Sequence, residues 1–213
     1  RERWVQVKDG MGHIVLISGE AGIGKSRLVQ MLQDSVATES QAWLTPCQCV
    51  PYYQNTALYP LIDLLERVVL RFDREKSSEQ KLRTLEGHLG QCGLPLADVV
   101  PLLASLLSIP LTADYAPLSV SPEQQKQQTL HALLKILLRV ASQQPVLFVV
   151  EDLHWVDPTT LELLSLLVDQ GPPARILALW TFRPDFHPPW TGRSHLTQVT
   201  LSRLPRRQAA EMT

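Results

Sequence analysis

The chain reads as an α/β protein built on a parallel sheet. Short β-branched apolar runs alternate along it with longer segments whose apolar residues recur at helical spacing, the pattern of strands joined by crossover helices. One run, "PVLFVVED" at 145–152, holds five consecutive apolar residues before its two acids, as a central strand buried on both faces requires. Helix starts carry their own chemistry: "SSEQ" at 77–80, "SPEQ" at 121–124 and Asp157-Pro158 all place a capping side chain ahead of a first turn.

Taken in order, "HIVLIS" at 13–18, bounded by Gly12 and Gly19, is the first strand. A helix over 25–37 follows, with Leu28, Val29 and Leu32 on one face. "QAWLTPC" is the second strand, 42–47 with a residue either side, and Pro46 and Pro51 force an irregular passage after it. The spacing predicts helices over 57–72, with Pro60 in the first turn, over 77–91, and over 94–107. "SIPLTADYAPLS" is a loop, and a long helix, apolar on one face, starts at Ser121. The third strand, 145–152, leads to a helix at Asp157-Pro158. "ARILALWTFRP" is a fourth strand ending near Thr181, and "TQVTL" at 197–201 is a fifth. "PRRQAAEM" begins another helix. Between strands two and three lie roughly 95 residues where a crossover needs about a dozen. A helical insert over about 52–142, resting on the sheet, is the expectation.

Composition narrows the function classes. With 213 residues, 45% hydrophobic and 19% charged, the chain is expected to be one globular core. A net charge of -1 gives no reason to expect a nucleic-acid surface, which needs clustered Lys and Arg. Only Arg203, Arg206 and Arg207 lean basic, and a solvated helix start accounts for them equally well. No apolar run reaches the roughly 20 residues of a membrane span. The segment "RERWVQVKDG" lacks the apolar core of a secretory signal. Cys47, Cys49 and Cys92 make an odd set with no disulfide framework, and Cys47-x-Cys49 has the wrong spacing for a zinc knuckle. Reduced thiols and a cytoplasmic location are the expectation.

The chemistry concentrates at "GEAGIGKS", 19–26, which fits G-x-x-x-x-G-K-[ST] through Gly19, Gly24, Lys25 and Ser26, with Gly22 adding freedom. A tight turn with an incidental Lys-Ser is the plain alternative. The motif, however, sits where a phosphate cradle must, between a strand and a helix. Glycines let backbone N–H groups converge on phosphate oxygens, and the helix start adds its positive dipole end. Lys25 would reach the β/γ-phosphates and the Ser26 hydroxyl would hold Mg²⁺. The candidate nucleotide contacts are Gly19, Glu20, Ala21, Gly22, Ile23, Gly24, Lys25, Ser26 and Arg27.

A cradle needs an acid at the end of a neighbouring apolar strand. "VLFVVED" supplies Glu151 and Asp152, one for the Mg²⁺ shell and one for the attacking water. Which does which stays open, because alternate residues on a strand point in opposite directions.

"VVEDLHWVDPTTLELL" resembles the extended Walker B of the signal-transducing STAND class of P-loop ATPases. "GEAGIGKSRL", "CVPYYQNTALYPLIDLLER", "SPEQQKQQTL" and "TFRPDF" resemble the branch found beside class III adenylate/guanylate cyclases, kinases and LuxR-type DNA-binding domains in bacteria. The resemblance implies a P-loop NTPase three-layer sandwich, with a five-stranded parallel sheet ordered 5-1-4-3-2 and the helical insert between strands two and three. It also implies a switch, on with ATP and off with ADP, that uses Mg²⁺. By position, Glu151 stands where relatives carry the metal-associated Asp, and Asp152 where they carry the catalytic acid. A Glu in the first slot departs from their Asp-Asp or Asp-Glu pattern and would reach the metal by a different path. His154, Trp155 and Asp157 match the "LHWxD" extension; Trp155 reads equally as half-buried packing and His154 as a satisfied polar residue. Thr181 would face the γ-phosphate side and Arg183 resembles the sensor arginine, against the plainer reading of a surface arginine before a proline turn. Arg193 and Arg203 are weaker candidates for a finger acting in trans.

The resemblance further implies a covalently linked output domain (cyclase, kinase or DNA-binding) and nucleotide-dependent self-association. Nucleic-acid binding by this region and a membrane location are not expected. Relatives carry an adenine-holding segment before the first strand, and a helical lid and winged helix after the turn at "LSRLPRRQAAEM". The chain is expected to be the ATPase core over 1–213 without them, with slow hydrolysis. Tyr52, Tyr53, Gln54, Asn55 and Tyr59 cluster in the insert, with loop packing the expectation; His88 and His131 have no visible ligand partners. A nucleotide-binding or assembly domain without hydrolysis is the second reading, and a small-molecule kinase the third, with no acceptor pocket legible.

Overall fold

Five apolar runs pair into one parallel sheet in the order β2-β3-β4-β1-β5, the predicted 5-1-4-3-2 seen from the other edge. The computed structural model describes residues 2–39, 42–73, 75–171, 173–190 and 192–202. The strands are β1 (His13–Gly19), β2 (Trp43–Gln48), β3 (Val146–Glu151), β4 (Ile176–Phe182) and β5 (Leu196–Leu201). Every pairing is parallel; β3 and β4, inside the sheet, are buried along almost their whole length. Pro46 sits within β2 without breaking it because β2 is an edge strand, where a missing N–H removes no ladder bond that a central strand would need.

Helices cover both faces. On one lie α1 (Glu2–Lys8) and α2 (Lys25–Ala37), burying Trp4, Val7, Val29 and Val36 against Ile17, Leu147, Val149, Leu177 and Leu179. The other carries α3 (Tyr59–Leu64), α4 (Ser78–Gln91), α5 (Leu96–Leu106), α6 (Pro122–Gln143) and α7 (Pro158–Gln170), packed on Leu16, Phe148, Val150, Ala178 and Trp180. The alternation is the strand period of two: odd residues of β3 from Leu147 face α2, and even ones face the insert.

Most helix starts fall where capping chemistry predicts. Ser77 and Ser121 each accept from the N–H three residues on, Gln80 and Gln124, whose side chains reach back to the cap N–H. Two differences stand out. The helix predicted over 57–72 begins at Tyr59, because Leu58 takes the left-handed region at φ 59°; Pro60 is then in its first turn. It widens after Leu64 into a π-turn over Leu65–Val69, where Leu70 N–H donates to Leu65 O at 2.8 Å. And α1, absent from the sequence reading, is fixed to the end of α2 by Trp4 Nε1 donating to Glu39 and by a Lys8–Glu39 ion pair of 3.2 Å. The helix start predicted at "PRRQAAEM", with Arg203, Arg206 and Arg207, lies outside the described residues.

Two of the three thiols, Cys47 and Cys49, are hidden, and Cys92 is partly exposed. Burial pushes Cys49 up to about 12, helped by the Asp157 and Asp152 carboxylates, and raises Cys47 as well. Since the thiolate is the nucleophile, Ellman's reagent at mildly alkaline pH is expected to leave both unreacted until urea is added. The shifts also set a stability trend. The unfolded thiols ionise above about pH 8.5 while the folded ones stay neutral, so stability present below that pH falls as pH rises past it.

Candidate functional site

The loop between β1 and α2 owes its shape to three glycines with two different duties. Gly22 and Gly24 have φ of 74° and 105°, and a Cβ at either would meet no heavy atom within 4 Å, so the backbone conformation alone demands glycine. At Gly19 the demand is space: a Cβ there would lie 2.9 Å from Ile23 Cγ2 and 3.2 Å from Leu201 Cβ. Ile23 thus seats the loop against β5. Gly24→Ala is expected to cost about 1–2 kcal/mol, read as a lower urea midpoint at unchanged slope.

α2 starts bare. Its N-cap is Gly24, with no side-chain cap and no acid in the first turn, so the first N–H groups and the positive dipole end are left for an outside acceptor. Lys25 is buried, and its ammonium donates to Gly19 O at 2.7 Å and Glu20 O at 3.0 Å. Glu20 contributes that carbonyl while its side chain is exposed. These two bonds fold the lysine back along the loop and leave its third N–H for an anion.

Ala21, Gly22, Gly24, Lys25, Ser26 and Arg27 form one side of a cavity of about 270 Å³; Asp152 and Arg183 form the other. That size falls below the roughly 300–1,000 Å³ of whole-ligand sites, so it matches a phosphate tail and leaves the rest of a nucleotide outside it. Asp152 stands just past the end of β3 in the left-handed region, φ 60°, and that turn aims a residue beyond the strand into the cavity. Its N–H donates to Thr181 Oγ1 at 3.1 Å, and its Oδ2 accepts from Gln48 Nε2 at 3.4 Å. Thr181 is therefore buried behind Asp152 and holds it, and is not among the residues that line the cavity. Glu151 continues the β3 parity of Leu147 and Val149 on the α2 face, and its Oε2 is buried without a hydrogen-bond partner among the described residues.

That orphan carboxylate oxygen is what a cation site leaves before its ion arrives. Glu151 itself does not line the cavity; Ser26 and Asp152 do, and both offer oxygen donors, the kind Mg²⁺ takes. Among the described residues no group of three or more His, Cys, Asp or Glu forms a complete metal cage. Mg²⁺ held by one or two carboxylates plus phosphate oxygens fits this; a cage metal does not.

Gln48 was not read from the sequence, and Asp157, read there as a helix start and as part of the "LHWxD" extension, has a further role. Gln48 reaches Asp152 only because β2 pairs with β3, Gln48 opposite Glu151. Asp157 has a buried carboxylate: Oδ1 accepts from Thr159 N and Thr160 N, capping α7, and from Leu58 N at 3.1 Å, while Oδ2 accepts from Thr160 Oγ1. It joins the strand corner to Leu58, the residue that precedes α3 in the insert. His154, expected to be satisfied if structural, has both ring nitrogens buried without a hydrogen-bond partner among the described residues, Nδ1 lying 3.9 Å from Asp152 Oδ1. Burial lowers its pKa, with the Asp152 carboxylate opposing. Trp155 is half-buried and packs on the insert core. Tyr53 and Tyr59 stack at 3.8 Å while Tyr52 is 93% exposed. Arg193 pairs with Asp169 at 2.8 Å, away from the cavity, and Arg203 lies outside the described residues.

A profile of the AAA ATPase domain matches residues 2–179. An uncharacterized protein of Rhizobium meliloti (strain 1021) is 30% identical over 216 residues, which cover 93% of this chain and 19% of that protein; the chain thus spans about a fifth of the length of this relative. Among solved structures, it is similar to a chain in the structure of Drosophila ORC bound to GC-rich DNA and Cdc6, at TM-score 0.44 and 9% identity, over 94% of this chain and 53% of that one. It is also similar to the cytoplasmic domain of the Thermomonospora curvata Type VII secretion ATPase EccC, at TM-score 0.34 and 16% identity, over 81% of this chain and 16% of that one.

Proposed function

The chain belongs to the AAA ATPase domain family, and from that premise we propose that residues 19–27 hold the triphosphate of ATP in a slow, switch-like ATPase of STAND type. The observation that carries the reading is convergence: an uncapped helix start, a buried ammonium, an acid and an arginine meet on one cavity. The N–H groups of Gly24 to Arg27 and the Lys25 ammonium would bind the β- and γ-phosphates. Ser26 and a carboxylate of the Glu151–Asp152 pair would hold Mg²⁺, which when bound neutralises charge on the phosphate oxygens.

Asp152 is the better candidate for the attacking water, because Thr181 and Gln48 already hold it at the cavity wall. Its carboxylate would orient that water and take its proton. Arg183 would bind a γ-phosphate oxygen and lose that partner after hydrolysis, which lets the corner report the nucleotide state. The output is proposed to lie in a covalently linked cyclase, kinase or DNA-binding domain of a larger cytoplasmic bacterial signalling protein, with nucleotide-dependent self-association.

The buried, unpartnered Glu151 Oε2 also favours a second reading, a domain that binds nucleotide without turning it over. Incubating the chain with ATP for hours, with and without Mg²⁺, and measuring ADP by chromatography separates the two. Slow, Mg²⁺-dependent ADP formation is expected. Intact bound ATP would favour the second reading, and brisk turnover would contradict the switch.

A further inference from the structure

A second cavity, of about 460 Å³, opens at the other end of the sheet. Trp43, in its lining, starts β2 opposite Val146, whereas Gln48 and Glu151 end the same pair beside the nucleotide corner. Five strand steps, roughly 17 Å, separate the two sites.

The outer part is amphipathic. Arg71, His88, Gln91, Gln143 and Gln144 give it polar groups, and no Asp or Glu lines it among the described residues. The Arg71 guanidinium makes no hydrogen bond or ion pair with any described residue. Arg71 holds φ 47°, directly after the π-turn, where glycine is the usual occupant.

Trp43, Leu65, Val69 and Ile136 line both this cavity and an inner chamber of about 50 Å³, so these four side chains stand between the two and would be the neck of a connected site. The chamber is walled by Leu64, Leu133, Leu137, Phe148 and Leu164. The hydroxyl of Thr45, also in its wall, is already donated to Leu147 O. A water there would lack the two to four polar partners it needs, so the chamber suits hydrocarbon.

We propose that this cavity binds an amphipathic monocarboxylate, its alkyl chain passing the neck into the inner chamber and its carboxylate held at the rim by Arg71. Charge complementarity selects the head group: a guanidinium without a partner, beside an imidazole and three amides, with no competing acid. The apolar chamber selects the tail. The site shares no lining residue with the nucleotide cavity and stands whether or not ATP binds there.

The test is a titration with ω-bromodecanoate, whose bromine quenches an indole it touches, together with calorimetry of decanoate. Saturable quenching is expected, reduced in Trp43→Phe while that variant still binds decanoate by calorimetry. Arg71→Gln, an exposed change that leaves the circular dichroism spectrum intact, is expected to raise the dissociation constant about tenfold. Decanoate methyl ester should bind the parent about as weakly as decanoate binds Arg71→Gln. Ile136→Trp, which fills the neck, should abolish binding without affecting ATP affinity. Non-saturable quenching, or equal affinity in the parent and Arg71→Gln, would overturn the proposal. So would Arg71-dependent binding to phosphatidylglycerol vesicles that decanoate fails to displace, since that would assign the rim to a lipid surface.

Discussion

Replacing Lys25 with alanine is expected to lower ATP affinity between a hundredfold and a thousandfold, about 3–4 kcal/mol. The ammonium is the one buried cation of the cavity, and it is already fixed by Gly19 O and Glu20 O, so it would meet a phosphate with little further ordering. Removing it deletes a charge-assisted bond and leaves the helix start alone against the triphosphate charge. ADP affinity should fall with ATP affinity, because the β-phosphate loses the same partner. The loop keeps its glycine-directed path in the variant, and its circular dichroism spectrum should match the parent's. Calorimetry reads the loss directly; unchanged ATP affinity would contradict the assignment of Lys25.

The second large effect is on stability. Asp157→Ala is expected to cost about 2–4 kcal/mol, from a lost N-cap and an abandoned buried N–H at Leu58. For a chain of this size that is a fall of roughly 5–15 °C in Tm. Leu58 matters most in that sum. Its left-handed backbone, φ 59°, is strained for a branched side chain, and the Asp157 carboxylate is what holds it there. Asp157→Asn keeps an acceptor oxygen at Oδ1 and should lose about half as much. A Tm within 2 °C of the parent for Asp157→Ala would show that the insert is not anchored through this residue.

What the sequence made legible follows from how local each signal is. Strands β1, β3 and β4 announce themselves as apolar runs because both of their faces are covered, and the caps at Ser77, Ser121 and Asp157 are complete within four residues. Helix α1 escaped because only Trp4 and Val7 of its seven residues are buried, too few to establish a period. The break at Leu58 and the π-turn after Leu64 escaped because the apolar spacing runs straight through both. What sets the first is tertiary, a carboxylate 99 residues away.

The same division runs through the site. The loop at 19–26 was legible because glycine, lysine and serine at fixed spacing are the chemistry itself. Thr181 was expected to face the γ-phosphate side on the strength of the resemblance at "TFRP". In the structure the next strand's corner turns over it, and its hydroxyl is taken by Asp152 N–H. Gln48 could not be found at all without the register that sets β2 against β3. Glu151 and Asp152 part in direction at one torsion: the left-handed turn at Asp152 takes it out of the strand's alternation, so it lines the cavity while Glu151 does not.

A crystal structure of this chain with a nonhydrolysable ATP analogue and Mg²⁺ tests the central claim most directly. The account predicts phosphate oxygens about 2.7–3.2 Å from the amide nitrogens of Gly24, Lys25 and Ser26 and from Lys25 Nζ, with Asp152 and Arg183 facing the γ-phosphate. Nucleotide bound elsewhere on the fold, with Lys25 still folded onto Gly19 and Glu20, would contradict it.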